Sequence, residues 1–185
     1  MLAKQAEYRE MAIPARNAIV QICWVVNDLD EAMARWHRIS GVGPFLVMRH
    51  TKVTDPIYRG QPSATDFSVG MAQAGPLQVE LIQQHDDKPS HYRDTVPMGQ
   101  EAMHHVAIMP DDYDAALADY VAQGFEEAAS GIFGDMRFSY VDTSQALGHM
   151  VEIVEPKDSI KRFFAAVTRA AEEWNGDPAT LVREL

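Results

Sequence analysis

Four polar residues capable of binding a metal sit inside largely apolar segments of this chain. They are Gln21 in Ile19-Val-Gln-Ile-Cys-Trp-Val25, Glu80 in Gln78-Val-Glu-Leu-Ile82, His105 in Met103-His-His-Val-Ala107 and Glu152 in His149-Met-Val-Glu-Ile-Val154. Strand alternation puts Gln21 on one face with Cys23 and Val25, Glu80 with Gln78 and Ile82, His105 with Met103 and Ala107, and Glu152 with Met150 and Val154. A carboxylate or amide on such a face costs several kcal/mol unless something compensates it. One divalent cation would compensate all four. Two carboxylates, an imidazole and an amide oxygen form a mixed N/O donor set, with Zn²⁺ the first choice and Mn²⁺, Co²⁺, Ni²⁺ or Fe²⁺ also suited. The alternative is that each is a separately hydrogen-bonded strand residue or lies at an exposed edge.

The elements that would position these residues occur twice. Ile19 to Ala32 is echoed by Met103 to Ala116, with Gln21 answering to His105 and Asp30 to Asp114 at an offset of 84 residues. The first copy reads as a strand from Ala18 to Val26 and a helix from Asp28 or Asp30 to about Ile39, closed by Gly41-Val-Gly-Pro44. Strands follow at Phe45 to His50, around Ile57 to Arg59, at Thr65 to Ala72 and at Leu77 to Gln84. The second copy reads as a strand Ala102 to Met109, a helix Asp112 to about Gln123, and strands Phe125 to Ala129, Met136 to Val141 and Met150 to Val154. The expected divisions are an N-terminal extension 1–17, a first module 18–84, a connecting loop 85–101, a second module 102–156, and a C-terminal helix and tail 157–185. In that last part Ile160, Phe163, Phe164, Val167, Ala171 and Trp174 form one helical stripe, as of an amphipathic helix packed on the body or on another subunit.

Composition sets further bounds. The chain has 185 residues, 46% of them hydrophobic and 23% charged, as expected of a folded globular protein rather than a disordered one. A net charge of −11 argues against nucleic acid or an anionic membrane as partner. No apolar run reaches the length of a spanning helix, so a cytoplasmic location is expected. The single cysteine, Cys23, excludes an internal disulfide and reads as a buried structural thiol.

The paired segments, the Asp-rich helix starts, Met103-His-His-Val-Ala107 and Gly148-His-Met-Val-Glu-Ile-Val154 together resemble the vicinal oxygen chelate superfamily over about residues 18–156. Glyoxalase I, methylmalonyl-CoA epimerase, extradiol dioxygenases and bleomycin-resistance proteins belong to that group, and the resemblance is to its epimerase-like glyoxalase branch. It implies an α+β fold, two tandem βαβββ modules forming a cupped mixed sheet around one metal-binding cleft, followed here by the C-terminal helix. It implies that Gln21, Glu80, His105 and Glu152 are the metal ligands, that Glu152 is the catalytic base with Glu80 as alternate, and that the protein is a homodimer.

The expected activity is that of a metal-dependent isomerase or epimerase removing a proton next to the carbonyl of a small ketone, lactone or acyl thioester. A lyase of the same fold, or a non-catalytic small-molecule binding protein, is the alternative. The departures from the relatives matter equally. Ser68 stands where epimerases carry a second glutamate, with Asp66 two residues away on the same face as a substitute. Val25 and the Glu101 region stand where glyoxalase I carries glutathione-binding arginines. Gln21 removes a histidine that an extradiol iron site needs. Further candidates for the substrate pocket are Tyr140, Met48, Met103 and Met150. Arg93, in a loop that either closes over substrate or merely bridges the modules, could hold a carboxylate or phosphate. His104 is expected on the face opposite His105, packed or hydrogen-bonded beneath the sheet.

Overall fold

A computed structural model of the chain describes residues 17–185. Apart from its last residue, the expected extension 1–17 lies outside the described residues. Eleven strands form one mixed sheet in the order β11-β2-β5-β6-β1-β7-β10-β9-β8-β3-β4, with five helices, the fold class expected above. The first half supplies β1 (Ile19–Val25), α1 (Leu29–Ser40), β2 (Phe45–Met48), β3 (Thr54–Tyr58), β4 (Gln61–Pro62), β5 (Phe67–Ala74) and β6 (Leu77–Gln84). A short helix α2 (His91–Thr95) lies in the connection. The second half supplies β7 (Ala102–Ile108), α3 (Tyr113–Ala122), β8 (Glu126–Phe133), β9 (Met136–Asp142), α4 (Ser144–Leu147) and β10 (Met150–Val154). Helix α5 (Asp158–Glu172) and β11 (Val182–Glu184) complete the chain.

The repeat seen in the sequence is a repeat of register. Strand β1 runs parallel to β6 with Cys23 opposite Glu80, and β7 runs parallel to β10 with Ala107 opposite Glu152. The helix starts repeat too: Asp28 accepts a hydrogen bond from the Glu31 amide, and Asp112, 84 residues on, accepts one from Ala115. The modules meet edge to edge where β1 pairs antiparallel with β7. Helix α1 packs on the outer face through Leu29, Ala32 and Met33, and α3 packs there through Tyr113 and Ala116. The opposite face is filled by side chains of both modules and by α5.

Two features lie beyond the simple repeat. Hairpin β3–β4 leaves the first module and pairs with β8 at the far edge of the second. Its Arg59 ties that crossing down, with Nη2 2.6 Å from Asp142 and 2.8 Å from Asp94 of α2, and Nη1 2.7 Å from Glu126. The C-terminal β11 pairs with β2 at the other edge.

The stripe on α5 is used within the chain: Ile160 and Val167 are buried, and Phe163 and Phe164 pack partly buried against the core. A stripe packed on its own body is no argument for a second subunit. No helix among the described residues is long and apolar enough to cross a membrane.

Candidate functional site

Two rows of side chains cross the middle of the sheet on the α5 side. Neighbouring strands in register place Glu80, Cys23, His105 and Met150 in one row, and Gln78, Gln21, Ala107 and Glu152 in the next. Gln21, Glu80, His105 and Glu152 are all buried, His105 completely. His105 Nε2 lies 3.2 Å from Glu80 Oε2 and 3.4 Å from Glu152 Oε2. Cys23, Glu80 and His105 present ligand atoms within 4.8 Å of one another, the one group of at least three His, Cys, Asp or Glu ligand atoms this close among the described residues. Cys23, expected as a structural thiol, is buried as expected but stands among the ligand candidates, on the face that strand parity gives it with Gln21.

A bulge explains how adjacent histidines meet. In the β1–β7 ladder Cys23 pairs with His105 but Trp24 pairs with Met103, so His104 is an extra residue. The same irregularity recurs at Val20, which the repeat makes equivalent to His104. Each bulge precedes a candidate ligand, Gln21 or His105, and re-aims the side chains around it. His104 is thereby brought beside His105, not onto the opposite face, and their Nδ1 atoms are 2.9 Å apart. His104 Nε2 is 2.9 Å from the His91 carbonyl oxygen and must donate to it. Burial and then His105 lower the His104 pKa to about 3, so its ring is neutral and its Nδ1 accepts from His105 Nδ1–H. That bond fixes the His105 ring and turns Nε2 toward the carboxylates, as an orienting partner does for a metal-bound histidine.

The electrostatics are those of carboxylates gathered around one imidazole. Burial opposes a charged His105, but hydrogen bonding and charge from Glu152 and Glu80 outweigh it and raise its pKa to about 9. Burial, and then the adjoining Glu80 carboxylate, push the Cys23 thiol well above its ordinary range. Glu80 Oε2 and His105 Nε2 are nonetheless buried without an aligned hydrogen-bond partner. Gln21 donates through Nε2 to Gln78 Oε1 at 3.4 Å, which leaves Gln21 Oε1 as its uncommitted atom. Gln78 is held in turn by the Phe164 carbonyl of α5. Orphaned buried donors of these types, with acidic neighbours, fit a divalent cation.

The raised His105 pKa makes the metal-free protein sensitive to alkali. A group whose pKa is higher folded than unfolded contributes stability in full below its unfolded value, about 6.5. That contribution, on the order of 3 kcal/mol, decays as the pH rises and is gone once the pH passes through about 9. Urea unfolding of metal-free protein between pH 6 and pH 10 is expected to show this loss, and a midpoint independent of pH would contradict it.

Above the two rows is an apolar cavity of about 70 Å³ lined by Gln21, Glu80, Glu152, Met48, Tyr92 and Tyr140, with Phe163 and Phe164 of α5 closing over it. Burial, and then Glu152, keep the Tyr140 phenol protonated. An adjoining cavity of about 210 Å³ shares Thr51, Val53, Phe67, Tyr92 and Phe138 with the first.

The remaining sequence candidates are placed elsewhere. Ser68 is fully buried and bonded to His85 Nε2 at 2.7 Å and to the His50 amide, outside the cavity over the rows. Asp66 is hydrogen-bonded to His50 Nδ1 at 2.8 Å and borders only the adjoining cavity. Arg93 folds back toward the Val96 carbonyl and lines neither cavity. Met103, opposite Trp24, is moved by the bulge to the outer face and is partly exposed. Met150 is wholly buried in the floor beside His105. Glu101 is ion-paired with Arg35 and accepts from the Asn27 amide, at the outer rim of α1.

Tyr92, which sequence reading passed over, enters the site because Ser90 caps α2 and turns that ring inward. The only advance signal was the cap itself.

A family model described as Glyoxalase/Bleomycin resistance protein/Dioxygenase superfamily matches residues 20–140. No curated protein sequence matches the chain. Among solved structures, methylmalonyl-CoA epimerase from Mycobacterium tuberculosis is similar at 16% identity and TM-score 0.53, covering 84% of this chain and 99% of its own. A hypothetical protein from Bacillus halodurans C-125 is similar at 14% identity and TM-score 0.56, covering 78% of this chain and 97% of its own. A variant of the Streptomyces coelicolor methylmalonyl-CoA epimerase in complex with 2-nitronate-propionyl-CoA is similar at 20% identity and TM-score 0.50, over 76% of this chain and 98% of its own. At these identities the likeness establishes the fold.

Proposed function

Since the chain belongs to the glyoxalase/bleomycin resistance protein/dioxygenase superfamily, we propose that it is a metal-dependent isomerase or epimerase that takes a proton from the carbon next to a carbonyl. The observation that carries this reading is the buried Glu80–His105–Glu152 cluster, with Glu80 Oε2 and His105 Nε2 lacking aligned partners and with both carboxylates lining an apolar cavity. Glu80 and His105 would hold the cation, with Gln21 Oε1 at hand. A bound divalent cation stabilises negative charge developing on a carbonyl oxygen. Zn²⁺ is the first choice of ion.

The chain's own residues do the rest. Glu152 lines the cavity and is the base that takes the proton and returns it. His104 holds His105 in one tautomer. The apolar wall, with Phe163 and Phe164 over it, excludes water from the carbanion equivalent. No second carboxylate stands at Ser68, so Glu152 serves one face of the substrate: alone it would move a proton between neighbouring carbons, as an isomerase does, and epimerisation would need a second proton donor on the opposite face.

The small cavity and the larger one beside it suit a substrate with a compact reacting end and a longer tail, which favours an acyl thioester over a bare ketone or lactone. The similar Streptomyces coelicolor methylmalonyl-CoA epimerase variant is in complex with 2-nitronate-propionyl-CoA, which supports the same choice. The protein would act as a soluble cytoplasmic enzyme.

The test is to incubate metal-loaded protein with 2-substituted acyl thioesters, hydroxyketones and lactones in D₂O. Deuterium is expected at the carbon next to the carbonyl of a thioester, at a rate that falls on chelation. If none of these compounds exchanges although stoichiometric metal is bound, the isomerase reading is wrong.

A further inference from the structure

We infer that Cys23 Sγ is itself a ligand of this cation, so that the metal-holding group is Cys23, Glu80 and His105, and that it selects a thiophilic borderline ion, Zn²⁺, Co²⁺ or Ni²⁺, over Mn²⁺ or Mg²⁺. The inference deepens the metal reading proposed above and rests on it. Cys23 is the central residue of its row, opposite Glu80 on one side and His105 on the other. The three ligand atoms lie within 4.8 Å of one another, and a tetrahedral site with bonds near 2.0–2.3 Å sets its donors roughly 3.6 Å apart. A contraction of about an ångström closes the group.

Two of the three partners carry buried atoms, Glu80 Oε2 and His105 Nε2, that lie 3.2 Å apart without an aligned hydrogen bond. The repeat sharpens the point: the position equivalent to Cys23 is Ala107, which offers no donor, so the sulfur comes from the first module and the imidazole from the second. Binding breaks the Cys23 Sγ–H and His105 Nε2–H bonds, forms one bond from each atom to the metal and releases both protons to solvent.

The chemical consequence is a division of labour. Glu152 lies outside the group, so it need not leave the metal to act as base. A centre with three protein donors keeps a fourth position for a substrate oxygen, the usual state of a catalytic zinc site.

The test is titration of metal-stripped full-length protein with Co²⁺. One equivalent is expected to bind and to give a near-ultraviolet thiolate-to-Co²⁺ charge-transfer band. Cys23→Ser and Cys23→Ala are expected to lose the band while binding Co²⁺ at least tenfold more weakly, since even partners that only orient a ligand are worth about 10–100-fold. Cadmium NMR of the wild-type protein, showing the downfield shift of a sulfur-bound ion, gives a second readout that needs no variant.

Stoichiometric Co²⁺ with no charge-transfer band in the wild type, or a band that survives in Cys23→Ala, overturns the thiolate ligand and leaves the metal reading standing. Absence of any Co²⁺ binding overturns both.

Discussion

Glu152→Gln is expected to slow deuterium incorporation from solvent by about 10²–10⁴-fold, the range that a positioned general base supplies. The variant keeps the size of the side chain and removes its negative charge and its basicity. Glu152 lines the cavity on β10 and lies 3.4 Å from His105 Nε2, outside the Cys23–Glu80–His105 group. Metal content in the variant is therefore expected to stay stoichiometric. Glu80→Gln should behave in the opposite way, losing metal first and exchange as a result. Equal exchange by wild type and Glu152→Gln at equal metal loading would remove Glu152 as the base.

His105→Ala is expected to destabilise the metal-free protein by about 3–5 kcal/mol, the cost of leaving a buried charge without its partner. Glu80 and Glu152 are nearly inaccessible to solvent, and both are within 3.4 Å of His105 Nε2. Without the imidazolium the two carboxylates face each other with no counter-charge. Urea midpoints at pH 7 measure the loss, and adding Glu80→Gln in the same chain is expected to recover part of it, because one of the two acids is then neutral. The penalty should shrink above about pH 9, where the wild-type ring itself is neutral. Zn²⁺ should raise the melting temperature of wild type and leave that of His105→Ala unchanged. A variant as stable as wild type at pH 7 would show that the imidazolium does not compensate these acids.

Much of this was legible in the chain. Lone polar residues in alternating apolar runs marked Gln21, Glu80, His105 and Glu152, and the 84-residue echo marked the strands and helices that carry them, including the Asp28 and Asp112 caps. What could not be read follows from parity and from distance. A bulge adds one residue and leaves no trace in hydropathy, yet the bulge at His104 reverses the expected faces of His104 and Met103. Alternation put Cys23 beside Gln21, but its place between Glu80 and His105 depends on which strands are neighbours. Tyr92 sits in a polar connection whose composition says only that it is a loop. The paths of β3–β4 and β11 were equally hidden, because strands of two to five residues are too short for periodicity to show.

Those short strands alter what the duplication means. Hairpin β3–β4, from the first half, covers the outer edge of β8 in the second, and β11, which follows the second half, covers the edge of β2 in the first. Each half thus guards the other's open backbone edge, the surface through which sheets aggregate. The two halves are therefore bound together at three places, the β1–β7 seam and both outer edges, and neither keeps its edge covered without the other.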